Sequence, residues 1–301
     1  MTFLETSEKM YLQFRPVMDE YFPGLASRAA FGAVGRGSEF FSFDDELSRD
    51  HDYEDGFCIF LSEEDDLRYG VALSRLYREC FPSALKAKSA YSSKRLGVMT
   101  TEDFYTGHIG IPGAPESIEE WMYIPSYALA EATNGRVFED SLGVFSGIRE
   151  EILHGMPEDV RRKKIAARCA LAAQSGQYNL VRCIKHGEKA SAHIACCEFV
   201  KESAELVFLL NRAHAPYYKW IFRAMSSLDI LSGMKDELEN LFELPLESKA
   251  GKIEEISSVL IAELKRQNLS ASSSDYLEDH AYSVQSSIEN NYLRNLHIME
   301  G

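Results

Sequence analysis

The sequence predicts an α+β protein in which a small mixed-sheet domain is followed by an α-helical bundle. Three observations support this class. Short apolar runs typical of buried strands alternate with helical patterns in the first 115 residues. Residues 109–125 are then rich in glycine and proline, which indicates a linker. Beyond residue 157, apolar residues recur at helical spacing over long segments. We therefore expect two domains, residues 1–115 and 116–301.

The first domain is predicted to alternate helices and strands. Apolar residues at helical spacing predict an opening amphipathic helix over 10–21. Residues 29–35 and 57–61 are apolar runs that predict two buried strands. A cap-like Ser-Glu-Glu-Asp sequence opens a second helical pattern over 62–80, and residues 95–100 predict a third strand.

The second domain is predicted to be helical throughout. One apolar stripe covers 165–173 and a second covers 194–210, where Ile194 and Cys197 are expected to face the core. A third stripe covers 253–264. A helix bundle follows from these patterns, because each stripe must be buried against another helix.

The composition of the chain limits which partners and which cellular location we expect. The chain has 47 acidic and 32 basic residues and a net charge of −15, which disfavours long nucleic acids because phosphate contacts need clustered cations. No run of 18 apolar residues and no signal-like N-terminus is present, so we expect a soluble cytoplasmic protein without a membrane partner. The six cysteines lack metal or disulfide spacing and are expected to be buried free thiols. A homodimer is left open.

Two short motifs predict a metal-nucleotide site. Asp50 and Asp52 stand two apart, so on an extended segment their carboxylates project from the same face. Paired oxygen ligands suit Mg²⁺, which completes its coordination with water and substrate phosphates. Upstream, Gly37 lets a phosphate approach the backbone closely and Ser38 adds a hydroxyl donor. The first pair would hold the metal, and the second would hold the phosphates.

Four cations are candidates for binding the phosphates of the nucleotide. Arg36 and Arg49 flank the two motifs, and a guanidinium can hold a phosphate with two hydrogen bonds. Lys219 and Arg223 stand four apart on a predicted helix beside aromatic residues, which would form a cationic and aromatic surface. An ordinary helix with buried aromatics and exposed cations is the alternative for the second pair.

The Gly-Ser turn followed by Asp-x-Asp resembles the signature of the nucleotidyltransferase superfamily, which includes DNA polymerase beta and kanamycin nucleotidyltransferase. Residues 208–212 and 215–220 are similar to the helical half of an uncharacterised bacterial family classed as nucleotidyltransferase-like, and residues 48–52, 57–58 and 134–138 add to the resemblance. The resemblance extends over about residues 28–225.

The resemblance implies transfer of a nucleoside monophosphate from a Mg²⁺-bound nucleoside triphosphate to a hydroxyl acceptor, with release of pyrophosphate. The acceptor would be a small molecule or a protein side chain. Asp50 and Asp52 would be the catalytic metal ligands, and Gly37 and Ser38 would hold the β and γ phosphates. The alternative is a catalytically silent nucleotide-binding or scaffold protein with the same fold.

The resemblance also implies a general base in the helical domain. By position, Glu198, Glu202 and Glu205 are the candidates, and we select Glu202. A solvated helix face is the alternative for each of the three.

The superfamily usually places a third carboxylate on the third strand, and the matching position is Gly97. This departure leaves three interpretations: a site with two aspartates, replacement by Glu102, or loss of catalysis.

Overall fold

The computed structural model describes residues 1–45, 54–82 and 95–301. These residues form two compact units. The first combines Met1–Glu116 with Ile124–Gly155 and contains the sheet; the second combines Ser117–Tyr123 with Met156–Gly301 and is helical. The predicted α+β class, with a small mixed sheet followed by a helical bundle, is confirmed.

The first unit opens with helix α1 (Phe3–Tyr21). Thr2 and Glu5 form a capping box at its start, in which each side chain accepts a hydrogen bond from the backbone N–H of the other residue. The buried face of α1 includes Phe14 and Met18, so the predicted amphipathic helix is confirmed. Tyr21, by contrast, is exposed at the end of the helix.

Four described strands form one mixed sheet in the order β3-β2-β1-β4. They are β1 (Ala30–Ala33), β2 (Cys58–Leu61), β3 (Gly97–Thr100) and β4 (Arg136–Asp140). β1 is antiparallel to both β2 and β4, whereas β2 and β3 are parallel. The three predicted strands are confirmed, and β4 is an additional edge strand.

Helices cover both faces of this sheet. After β2, helix α2 (Glu63–Asp65), a π-helical segment (Asp66–Gly70) and α3 (Val71–Cys80) form one continuous helical run. It packs with α1 against one face, in a cluster that includes Phe31 and Ile59. This double coverage explains why β1, β2 and β3 are apolar without alternation.

The opposite face carries α4 (Thr101–Ile109), α6 (Ser126–Thr133) and α7 (Val144–His154). Phe60 of β2 stacks on Phe145 of α7 with ring centroids 4.0 Å apart.

The strand register brings four chain segments to one end of the sheet. Gly32 pairs with Cys58 in the antiparallel β1–β2 ladder, and Ala33 pairs with Arg136 in the β1–β4 ladder. Cys58 pairs with Gly97 in the parallel β2–β3 ladder. The end of β1 and the starts of the other three strands therefore meet. We call this the site end of the sheet.

The second unit is a helical bundle. Its main helices are α8 (Glu158–Ala172), α10 (Lys189–Leu210), α13 (Leu246–Arg266) and α14 (Leu277–Ser286). Shorter elements complete it: α5 (Ile118–Tyr123), a π-helical segment (Ala173–Leu180), α9 (Val181–His186), α11 (Ile221–Met225), α12 (Met234–Glu243) and α15 (Asn291–Asn295). No described helix is long and apolar enough to cross a membrane.

Several expectations need correction. The linker predicted over 109–125 contains α5, and the chain then returns to the first unit because β4 pairs with β1. The observed units therefore differ from the expected division between residues 115 and 116.

Ile194 and Cys197 are exposed, because the start of α10 buries Ala195 and Cys196 instead. Of the six free cysteines, Cys58, Cys169 and Cys196 are buried, whereas Cys80 and Cys197 are exposed.

Candidate active site

The backbone after β1 adopts a conformation that requires glycine at two positions. Gly35 and Gly37 have φ angles of +139° and +131°, which L side chains rarely adopt. A Cβ at Gly37 would also collide with the side chains of Arg95 and Glu39. Ser38 then begins a 3₁₀ helix (Ser38–Phe41) and is nearly buried. The predicted Gly-Ser turn is therefore a tightly enclosed backbone segment at the site end of the sheet.

The side-chain amide of Asn134, which follows the last residue of α6 and lies two positions before β4, fixes this turn. Its Oδ1 accepts a hydrogen bond from the Gly35 N–H at 2.9 Å, and its Nδ2 donates to the Gly35 carbonyl at 2.7 Å. Arg149 of α7 donates to the Asn134 carbonyl at 2.6 Å. Asn134 thus satisfies both backbone groups of Gly35 where strand pairing has ended.

Two guanidinium groups flank the turn. Arg36 donates to the Gly107 carbonyl at 2.6 Å, and its Nε lies 3.4 Å from a carboxylate oxygen of Glu131. Arg95, two residues before β3, donates to both the Arg36 carbonyl and the Glu39 carboxylate. Each arginine is therefore held beside the turn by one carboxylate.

The two carboxylates are enclosed as well. Glu131 of α6 is mostly buried, and this burial raises its pKa, although the charge of Arg36 opposes the shift. Glu39 is 8% exposed and pairs with Arg95. Ion pairing accounts for both acids, and neither needs a metal to neutralise it.

A cavity of about 230 Å³ lies beside the turn. Its lining combines two cations, one acid, an imidazole and apolar groups, contributed by Arg36, Arg95, Met99, Asp103, Phe104, Gly107 and His108. This volume is below the roughly 300–1,000 Å³ of common ligand pockets. The cavity therefore fits a small group rather than a complete nucleotide.

His108 is held in one orientation at this cavity. Its Nδ1 lies 2.8 Å from the Phe104 carbonyl, and the two rings are 4.3 Å apart. Burial lowers the pKa of His108, the hydrogen bond to Phe104 opposes that change, and the charge of Arg36 lowers the pKa further. The ring is therefore neutral near pH 7.

Arg36, Gly37 and Ser38 lie together in the turn after β1, and their role in phosphate binding stays a prediction. Arg49, Asp50 and Asp52 lie outside the described residues. Among the residues that the structure describes, no group of three or more His, Cys, Asp and Glu side chains is placed to hold a metal ion.

Gly97 is buried with a φ of +95°, so a carboxylate side chain would be strained at this position. Glu102 lies in the first turn of α4, and its Oε2 is buried without a hydrogen-bond partner in the described part of the chain.

Glu202 and Lys219 belong to the second unit. The Glu202 side chain is 1% exposed and lies 3.0 Å from both Arg168 and Lys201. Burial raises its pKa, and the two cations oppose that shift. A role as base would require this ion-pair network to open. Lys219 is exposed in a turn, because α11 begins after it rather than before it as predicted.

Sequence reasoning missed four residues beside the turn: Glu39, Arg95, Glu131 and His108. Arg95 had the clearest signal, since it is a cation at the start of the predicted third strand. The other three have no sequence pattern that marks them.

Comparisons with known proteins give two findings. A family model described as a domain of unknown function, DUF4037, matches residues 121–221. A crystal structure of a nucleotidyltransferase-like protein from Exiguobacterium sibiricum 255-15 is similar at 12% sequence identity and a TM-score of 0.39, over 93% of this chain and 81% of that chain. No curated protein matches.

Proposed function

We propose that the protein is a Mg²⁺-dependent nucleotidyltransferase that transfers a nucleoside monophosphate from a nucleoside triphosphate to a hydroxyl group. The observation that carries this proposal is the turn at Gly37 and Ser38, with the guanidinium groups of Arg36 and Arg95 on either side. A backbone without Cβ beside two planar cations is suited to phosphate oxygens.

The topology supports a metal site next to this turn. Asp52 precedes β2 by six positions in the sequence, and β2 starts at the site end of the sheet. Asp50 and Asp52 would hold Mg²⁺, since the described carboxylates Glu39 and Glu131 are committed to arginines. Bound Mg²⁺ would neutralise phosphate charge and orient the triphosphate.

Binding of phosphate requires the arginines to exchange partners. Arg36 would leave Glu131 or share it, and Arg95 would do the same with Glu39. The Arg36 side chain is 49% exposed, so its ion pair is screened and weak enough to exchange. The carboxylates thus keep the arginines near the turn before the triphosphate arrives.

A catalytically silent nucleotide-binding protein is the second candidate function. The positive φ of Gly97 favours it, because that conformation opposes a carboxylate where the superfamily usually has one. This candidate binds nucleotide without releasing pyrophosphate. A scaffold that binds neither nucleotide nor metal would be a third outcome.

The test is calorimetric titration of ATP, GTP, CTP and UTP into the full chain with and without Mg²⁺, followed by a pyrophosphate-release assay. The Asp50→Asn/Asp52→Asn double variant should lose metal-dependent binding. Asp19→Asn/Asp236→Asn is the matched control, because it removes the same charge from side chains that are 51% and 81% exposed. Equal binding by wild type and the Asp50/Asp52 variant would refute the assignment of the metal ligands.

A further inference from the structure

His108 has one ring nitrogen whose hydrogen bonding is unexplained. Because the Phe104 carbonyl can only accept, Nδ1 carries the proton and Nε2 of the neutral ring has a free lone pair. Nε2 is buried and has no hydrogen-bond partner among the described residues. A buried acceptor without a donor costs about 1–3 kcal/mol, so its retention needs a reason.

Nε2 of His108 lies next to the backbone that leads into the Gly-Ser turn. A Cβ built on Gly35 would lie 3.4 Å from Nε2, closer than to any other ring atom of His108. The unprotonated nitrogen is therefore directed at the backbone two residues before Gly37. His108 also lines the cavity together with Arg36 and Arg95.

We propose that His108 is the general base of the transfer reaction and that the adjoining cavity receives the acceptor hydroxyl. This inference rests on the proposed function. Nε2 is buried against the Gly35 backbone in the resting protein, so this contact opens when the acceptor binds. Nε2 then accepts the hydroxyl proton while the hydroxyl oxygen forms a bond to the α-phosphorus. The bond from that phosphorus to the bridging oxygen breaks, and pyrophosphate leaves with the electron pair. The products are the nucleotidylated acceptor, pyrophosphate and a protonated His108.

The other candidate bases are less suited to this step. Glu131 is paired with Arg36, and Glu202 is enclosed by Arg168 and Lys201. A carboxylate held by a cation is a poorer proton acceptor, because protonation breaks the ion pair. His108 has no such partner, and its Nδ1 contact keeps Nε2 unprotonated.

The charges around His108 fit this role. Arg36 and Arg95 are the cations that line the cavity, and Asp103 on the same helix as His108 is the acid that lines it. Glu131 of α6 is paired with Arg36. Proximity to Arg36 disfavours the imidazolium in the resting state. When Arg36 engages phosphate, its charge is offset, and the imidazolium that forms during transfer is then better tolerated.

The experiment compares His108→Phe with His154→Phe. Phenylalanine keeps an aromatic ring against Phe104 but has no lone pair. His154 is a matched control in the same unit, with a side chain that is 76% exposed. Two quantities are measured on the full chain: the affinity for Mg²⁺ and the nucleoside triphosphate that binds in the titration, and pyrophosphate release with water as the acceptor. His108→Gln, which keeps a polar group but cannot accept the proton, is tested alongside.

We expect His108→Phe and His108→Gln to bind nucleotide as wild type does and to release pyrophosphate at least about 100-fold more slowly. The wild-type rate should fall as the pH drops through a value below about 6.5, whereas the variants should lack this dependence. His154→Phe should match wild type in both assays.

Three results would overturn the inference, and they separate it from the proposed function. The first is pyrophosphate release within about threefold of the wild-type rate by both His108 variants, or by the one that folds if only one does. Loss of a general base should slow release about 100-fold, so this result would make His108 a packing residue. If wild type binds nucleotide but releases no pyrophosphate, the protein has a nucleotide site without catalysis, and His108 is not a general base. If wild type binds no nucleotide, the proposed function itself fails.

Discussion

Substituting Asn134 should destabilise the first unit more than any exposed polar substitution nearby. Asn134→Ala removes the acceptor of the Gly35 N–H and the donor to the Gly35 carbonyl, both of which are buried in this structure. A buried backbone group left without a partner costs about 1–3 kcal/mol, so two such groups predict a loss of about 2–6 kcal/mol. That is a large fraction of the roughly 5–15 kcal/mol stability of a typical domain.

Urea denaturation followed by far-ultraviolet circular dichroism measures this loss. Circular dichroism is preferable to fluorescence, because both tryptophans, Trp121 and Trp220, lie in the second unit. Thr106→Ala is the control, since Thr106 is an exposed side chain on α4 of the same unit and alanine favours helix. It should change stability by less than about 0.5 kcal/mol.

The same variant tests the link between this contact and the site. Under conditions where Asn134→Ala remains folded, its affinity for nucleoside triphosphate should fall, because Gly35 leads directly into the turn at Gly37. A free energy of unfolding within about 0.5 kcal/mol of wild type would refute the reasoning, since it would mean that water replaces both hydrogen bonds without cost.

Two further predictions concern a strained glycine and a partly exposed acid that is paired with arginines. Gly97→Asp should lower stability by about 1–3 kcal/mol in urea denaturation and add no pyrophosphate release, because its φ of +95° opposes a side chain. For Glu158, burial alone would raise the pKa, but Arg161, Arg212 and Arg162 outweigh it and lower the pKa to about 2. Glu158→Gln should therefore lower the free energy of unfolding by about 1 kcal/mol at pH 7, after allowance for solvent exposure. The difference in stability between wild type and variant should disappear as the pH falls from 4.5 toward 2. A difference that persists at low pH would contradict the ion-pair explanation.

Local patterns determined much of the first unit. The strands β1, β2 and β3 are short apolar runs, and burial on both faces gives such runs a continuous pattern that is visible in the sequence. β4 was missed because its residues are polar and only partly buried. An edge strand of this kind is specified by its partner β1, and long-range pairing leaves little local signal.

The sequence likewise predicted only part of the candidate site. Arg36, Gly37 and Ser38 are consecutive residues, and a motif of consecutive residues can be recognised in the sequence. Arg95 and Glu131 reach the turn from separate elements through ion pairs. Which charges pair depends on strand register and helix packing, so composition alone could not have identified them.

The sequence by itself determined the α+β class, the helical second unit and the position of the Gly-Ser turn, because each depends on residues close together in the chain. Tertiary structure decided the return of residues 124–155 to the sheet, the Asn134 clamp on Gly35 and the unpartnered nitrogen of His108. These features join positions about 70–100 residues apart, as Gly35 and Asn134 show with a separation of 99. These features arise from the pairing of β1 with β4 and from the packing of α4 beside the turn. No local sequence pattern predicts either contact, because each joins residues that are far apart in the chain.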